Sequence, residues 1–184
     1  MSSYVHTAKI SLVATVAALF SPWTMAAMSG AEIDSGVRAT LERFRSENPA
    51  NSELVNKAAG VLVFPSVAKA GVGIGGEYGQ GALLVGGHVV GHYKVSGGSV
   101  GATAGVAHRS EIILFMTEEA LDKFQASHGW TIGADAGVAV GHHGGGGQYD
   151  SQTLRRPIIS FVLGEHGLMA DLSLEGAKIT KIDV

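Results

Sequence analysis

Glycine at every second position is the feature that most limits what this 184-residue chain can fold into. In three segments, one set of alternate residues is almost entirely glycine or other small residues. Gly71, Gly73, Gly75 and Gly79 alternate with Val72, Ile74, Gly76 and Tyr78, and Glu77 is the one large residue on the glycine side. Ser99, Gly101, Thr103, Gly105 and Ala107 alternate with Val100, Ala102, Ala104 and Val106, and Gly133, Asp135, Gly137, Ala139 and Gly141 stand against Ile132, Ala134, Ala136, Val138 and Val140. Period two is the period of a β-strand. Glycine inside a strand costs roughly 0.5–1 kcal/mol against alanine, so a row of glycines implies that something else approaches the backbone closely. That neighbour is either another layer of the same protein or a flat apolar ligand such as an acyl chain.

The rest of the chain fits around these segments. Short apolar runs at 61–64, 72–78, 82–85, 89–95, 100–108 and 111–116, separated by glycine-rich turns, are expected as strands, as are 132–140, 158–163, 168–174 and 178–182. Gly86-Gly87-His88 and Glu165-His166-Gly167 are short enough to close hairpins. Ser29 and Glu32 have capping-box spacing, and Ile33, Val37, Leu41 and Phe44 recur at helical intervals, which predicts a helix over 31–47 ended by Asn48-Pro49. A second helix is expected from 52 or 53 to 59 with Gly60 as a left-handed cap, and a third over 118–126 capped by Thr117. The expected class is α+β: a mainly antiparallel, glycine-rich sheet closed as a sandwich or a barrel-like body, with two amino-terminal helices and one inserted helix.

The amino end reads as an export signal. Lys9 precedes an apolar run over 10–20, and Ser21, Pro22 and the small residues Thr24 and Ala26 follow. The run falls short of the roughly 20 residues a membrane-spanning helix needs. The expected organisation is a signal peptide over 1–26 and one domain over 27–184, with cleavage after Ala26 or after Ala27, and the expected location is the periplasm. The sequence has no cysteine, so disulfides, thiolate metal sites and a lipoprotein anchor are excluded. With 13 basic against 16 acidic residues and a net charge of −3, it is no electrostatic trap for nucleic acid.

Catalytic motifs occur without the context they need. Gly71, Gly73 and Gly76 match G-x-G-x-x-G, but no helix is expected to open at the third glycine. Gly97-Gly98-Ser99-Val100-Gly101 matches the nucleophile elbow G-x-S-x-G, with Asp150 and His166 following in the order a hydrolase uses. The segment after Ser99 reads as strand rather than helix. His88 and His92 lie about 13 Å apart along a strand and cannot share one ion, and His142 and His143 adjoin a glycine loop. No enzyme activity, cofactor or metal is expected. Lys57 and Lys69, which flank the 61–64 strand, and Arg155 and Arg156, which precede Pro157, are the candidate contacts for a lipid phosphate.

Ala59-Gly60-Val61-Leu62-Val63-Phe64-Pro65, Lys69-Ala70-Gly71-Val72-Gly73, Gly79-Gln80-Gly81 and Gly97-Gly98-Ser99-Val100-Gly101 together resemble the SYLF domain family. The likeness continues through 111–117 and 167–176. The resemblance implies a lipid-binding domain of the type found in yeast actin regulators, here in a bacterial exported member. Export makes actin an unlikely partner and leaves a phospholipid or a membrane surface. Lys69 lies within a family-typical motif and is the first candidate for a headgroup contact. The alternative is a structural or protein-interaction module of the periplasm, and a serine hydrolase acting through Ser99 stands behind both.

Overall fold

The computed structural model describes residues 28–131, 138–141, 155–164 and 176–184. The expected signal peptide, the strand at 168–174, the turn at 165–167, His142, His143 and most of the third glycine segment lie outside these residues.

Helix α1 (Gly30–Glu47) starts at the expected capping box: Ser29 Oγ accepts from the Glu32 backbone N–H, and the Glu32 carboxylate accepts from the Ser29 N–H at 2.8 Å. Its buried face is Ile33, Val37, Thr40, Leu41 and Phe44. Asn48 ends α1 in an extended conformation and caps the next helix, its side chain accepting from the Ala50 N–H at 2.9 Å. Helix α2 (Pro49–Lys57) therefore begins at Pro49 rather than at 52 or 53, because proline at a first helical position gives up only an N–H that would have no helical partner. Gly60 is not its left-handed cap. Ala58 closes α2 in extended conformation, and Gly60 opens the sheet, where a Cβ would lie 2.6 Å from Leu121 Cδ1.

The six runs expected as separate strands between 61 and 116 are two very long ones. Strand β1 (Gly60–Val85) and strand β2 (His88–Phe115) pair antiparallel along their whole length, from Gly60↔Phe115 to Val85↔His88. Between Gly60 and Phe115 only the turn at Gly86 (φ 57°) and Gly87 (φ 82°) takes the left-handed backbone that breaks a strand, so the other glycines of this stretch continue the ladder. Register shifts at Phe64/Val67, Val72/Ile74 and Leu83/Leu84 mark irregularities where such long strands bend. On its other edge, β2 pairs with β5 (Ile158–Gly164) over 109–115 and with β6 (Lys178–Ile182) over 92–96. Strand β3 (Trp130–Thr131) extends β6, and β4 (Val138–Gly141) runs parallel to β5. The fold is α+β with a barrel-like, mainly antiparallel sheet, as expected.

The sheet carries a core on each face. Against one lie α1 and α2, with Phe44 on Phe161 at 4.9 Å between ring centroids and Val63, Ile112, Leu114 and Ile159 beneath. Against the other lies α3 (Glu118–Ala126), capped by Thr117, whose Phe124 meets Tyr93, Phe115 and Trp130. Each fully buried aromatic or branched side chain contributes roughly 1.5–3 kcal/mol. Strand β1 also bends back on itself: Gly79 lies against Val67 and the Ser66 carbonyl, and Gly81 against Phe64 and the Val63 carbonyl. Among the described residues no helix is long and apolar enough to cross a membrane.

Candidate functional site

Alternation along β1 and β2 sorts the polar residues onto the two faces. Val67, Leu83, Tyr93, Val95, Ile113 and Phe115 belong to the inner core with α3, so Lys69, Glu77, Arg109 and Glu111 share that inner face. Arg109 is buried and bridges two carboxylates: Nε donates to Glu111 Oε1 at 2.7 Å and Nη2 donates to Glu77 Oε2 at 2.8 Å. Gly97 makes room for this, since a Cβ there would lie 2.8 Å from Glu77 Oε1. One guanidinium against two carboxylates leaves an excess negative charge. Burial pushes the fully enclosed Glu111 carboxyl up to about 7, against the pull of Arg109 and with the Glu77 charge adding to the rise. Among the described residues Glu111 Oε2, and Ser160 Oγ on β5, are buried without hydrogen-bond partners. The cluster is enclosed at Glu111 and reaches, through Arg109, the floor of the cleft described next.

The opposite face carries an open site. Thr40 and Arg43 of α1, Pro65 and Ser66 of β1, His108, Arg109 and Ser110 of β2, and Leu163 of β5 line a cleft of about 220 Å³. Arg43 Nη2 donates to Ser110 Oγ at 3.2 Å, and Ser110 donates its proton to the Pro65 carbonyl at 2.7 Å. The exposed Ser66 hydroxyl and His108 Nδ1 lie 3.5 Å apart. The Arg43 guanidinium, the His108 imidazole and the Thr40 and Ser66 hydroxyls thus converge where no carboxylate is among the described lining residues, a donor set suited to an oxyanion, with Ser110 orienting Arg43. Two residues along β2 from His108, Val106 is 70% exposed, and Ile74 on β1 is 75% exposed. Ala70, paired with Val106, is exposed as well. A cationic cleft and an exposed apolar ribbon therefore adjoin on one face.

The four basic residues singled out from the sequence are split. Lys57 is exposed in the last turn of α2 and pairs with Glu53 at 2.6 Å. Arg155 and Arg156 are exposed immediately before β5. These three share one end of the sheet, where the Ala59 N–H donates to the Phe115 carbonyl and the Met116 N–H to the Pro157 carbonyl. Lys69 is only 6% exposed, on the inner face opposite Ala107, and is held by an interaction within the fold. From Ala107 to Phe115 is roughly 27 Å along a strand, so Lys69 is not brought to the other three. Arg43 and His108 were not singled out. Arg43 is an ordinary polar-face position of an amphipathic helix, and only the docking of α1 on Ser110 gives it a site. Glu77 did stand out, as the large residue in a glycine row.

The motif contexts are also settled by the ladder. Ser99 lies inside β2 opposite Gly75, not at a strand-to-helix turn, and β1 runs on as strand past Gly76. Asp150 and His166 lie outside the described residues. His88 and His92 are both in β2, and His92 Nε2 meets Asp34 Oδ1 at 2.8 Å. Among the described residues no group of three His, Asp or Glu side chains is placed to hold a metal ion.

Residues 96–183 match the family model for Ysc84, described as Las17-binding protein actin regulator. The match begins inside β2 and takes in α3 and the strands after it, including His108, Arg109 and Ser110. No curated protein matches the chain.

Proposed function

With residues 96–183 placing this chain in the SYLF family of binding domains, we propose that the protein binds phospholipid at a membrane surface, without catalysis. The observation that carries this reading is the adjacency of the Arg43–His108 cleft to the exposed ribbon of Ala70, Ile74 and Val106. A phosphate in the cleft gains charge-assisted hydrogen bonds, while the ribbon meets apolar matter beside it. Lys57, Arg155 and Arg156 supply a second cationic rim at the end of the sheet, and a headgroup reaching Lys69 has to enter the curl. The place of action is the cell envelope, reached through the amino-terminal export signal, and there the actin regulation named for the family gives way to lipid.

Flotation of the mature chain with vesicles tests this. Anionic vesicles at low salt are expected to carry the protein, zwitterionic vesicles to carry less, and an Arg43→Ala/His108→Ala variant to lose at least about fivefold of the anionic binding as its salt dependence flattens. Wild-type protein that stays at the bottom of the gradient at low salt sinks the proposal.

A further inference from the structure

A second cavity, independent of the first, opens where α1, α2 and the β1–β2 turn meet. Its volume is about 290 Å³. Leu41 of α1, Val55 of α2, and Val61 and Leu84 of β1 form its apolar wall. They retain 6–7% exposure, where their neighbours Val63, Ala82 and Ile112 in the same core retain none. Its lining includes Gly86 and Gly87, where an added Cβ would meet nothing within 4 Å. Among the described residues one charged side chain lines the cavity, that of Arg45, and its Nε is buried without a hydrogen-bond partner.

An N–H that is both buried and unbonded costs about 1–3 kcal/mol, more for a charged group, and is rare unless a ligand or water completes it. A water on Nε would complete the guanidinium but leave the aliphatic wall of Leu41, Val55, Val61 and Leu84 facing water. What satisfies both the guanidinium and the wall is an anion with an alkyl chain attached. The volume lies just below the roughly 300–1,000 Å³ of ordinary small-ligand pockets, which suits one short chain and is too small for the two chains of a phospholipid. We propose that this cavity binds a single-chain amphiphile with a carboxylate head, the head on Arg45 and the chain against Leu41, Val55, Val61 and Leu84. The site is separate from the Arg43–His108 cleft, and its occupancy does not depend on vesicle binding.

Titration calorimetry of the mature chain with decanoate and with decanol, both below their aggregation limits, tests it. Decanoate is expected to bind one to one, at least tenfold more tightly than decanol. Arg45→Gln is expected to bring decanoate down to the decanol level while leaving decanol unchanged. Asn56→Trp, at an exposed cavity-lining position on α2, is expected to weaken both and to leave flotation with anionic vesicles unaltered. No saturable decanoate binding by the wild type overturns the proposal, as does equal decanoate affinity in wild type and Arg45→Gln. Should Arg45→Gln fail to fold, backbone amide shifts on decanoate addition decide the matter: they support the site if they concentrate at Val55, Val61 and Gly86, and overturn it if they do not.

Discussion

Two glycines of β1, Gly76 and Gly81, are held by different physics. A Cβ on Gly81 would run into the Val63 carbonyl and lie 2.7 Å from Phe64 Cδ1, where the strand crosses itself. A Cβ on Gly76 meets nothing nearer than the Gly97 carbonyl oxygen at 3.7 Å. Gly81→Ala is therefore expected to cost several kcal/mol, since backbone cannot move aside as a flexible side chain can. Gly76→Ala is expected to be neutral or to stabilise by up to about 1 kcal/mol through the strand entropy it saves. Urea denaturation of the two variants separates them; equal losses would show that β1 does not cross itself at Val63. Close approach was legible in the sequence as a property of the glycine rows. Which glycine is approached was not, because the approaching atoms are the strand's own backbone, brought round by a bend. Glu77 shows the same limit: it is conspicuous among glycines, yet its partner Arg109 lies 32 residues away and looks like any strand arginine.

At the scale of elements, the helices were legible and the strand boundaries were not. Capping side chains act over three or four residues, so Ser29 and Thr117 announce α1 and α3 locally, whereas Asn48, read as the end of α1, also caps α2 and moves its start to Pro49. A glycine-rich stretch looks the same whether it turns or extends, and the difference is a single dihedral that tertiary pairing decides. Gly86 and Gly87 are the turn because both have positive φ and hold Val85 opposite His88. Nothing lies within 4 Å of a Cβ on Gly87, so substitution there acts through the backbone alone. Gly87→Ala is expected to cost about 1–2 kcal/mol and Gly87→Asn distinctly less, because asparagine tolerates the left-handed region. Thermal melts that rank the two variants the other way would refute a backbone origin. The same long-range dependence hid the cleft, whose residues come from α1, β1 and β2 and meet only once α1 lies on Ser110.

For the whole molecule, the two faces of the sheet divide the chemistry: the cationic cleft and apolar ribbon lie outside, and charge is stored inside. The inner cluster has Arg109 between Glu77 and Glu111, with Lys69 buried further along the same face. Glu77 keeps 10% exposure of its side chain and Glu111 keeps none, so a proton that relieves the excess charge goes to Glu111. Its carboxyl titrates near 7 in the fold against 4.5 when solvated. The folded state therefore binds more protons than the unfolded chain between those values, and stability from this group falls as pH rises through the window. The contribution is full below about 4.5 and gone above about 7, a change on the order of 3 kcal/mol at most. Wild type measured from pH 5 to pH 8 is expected to lose stability relative to Glu111→Gln, whose neutral amide stays near Arg109 and has no proton to release. Vesicle binding should be the same in both proteins, since Glu111 faces the core and is not among the residues that line the cleft. A constant difference between the two stability profiles across this range would mean that Glu111 is ionised throughout, with Arg109 and Lys69 together balancing both carboxylates.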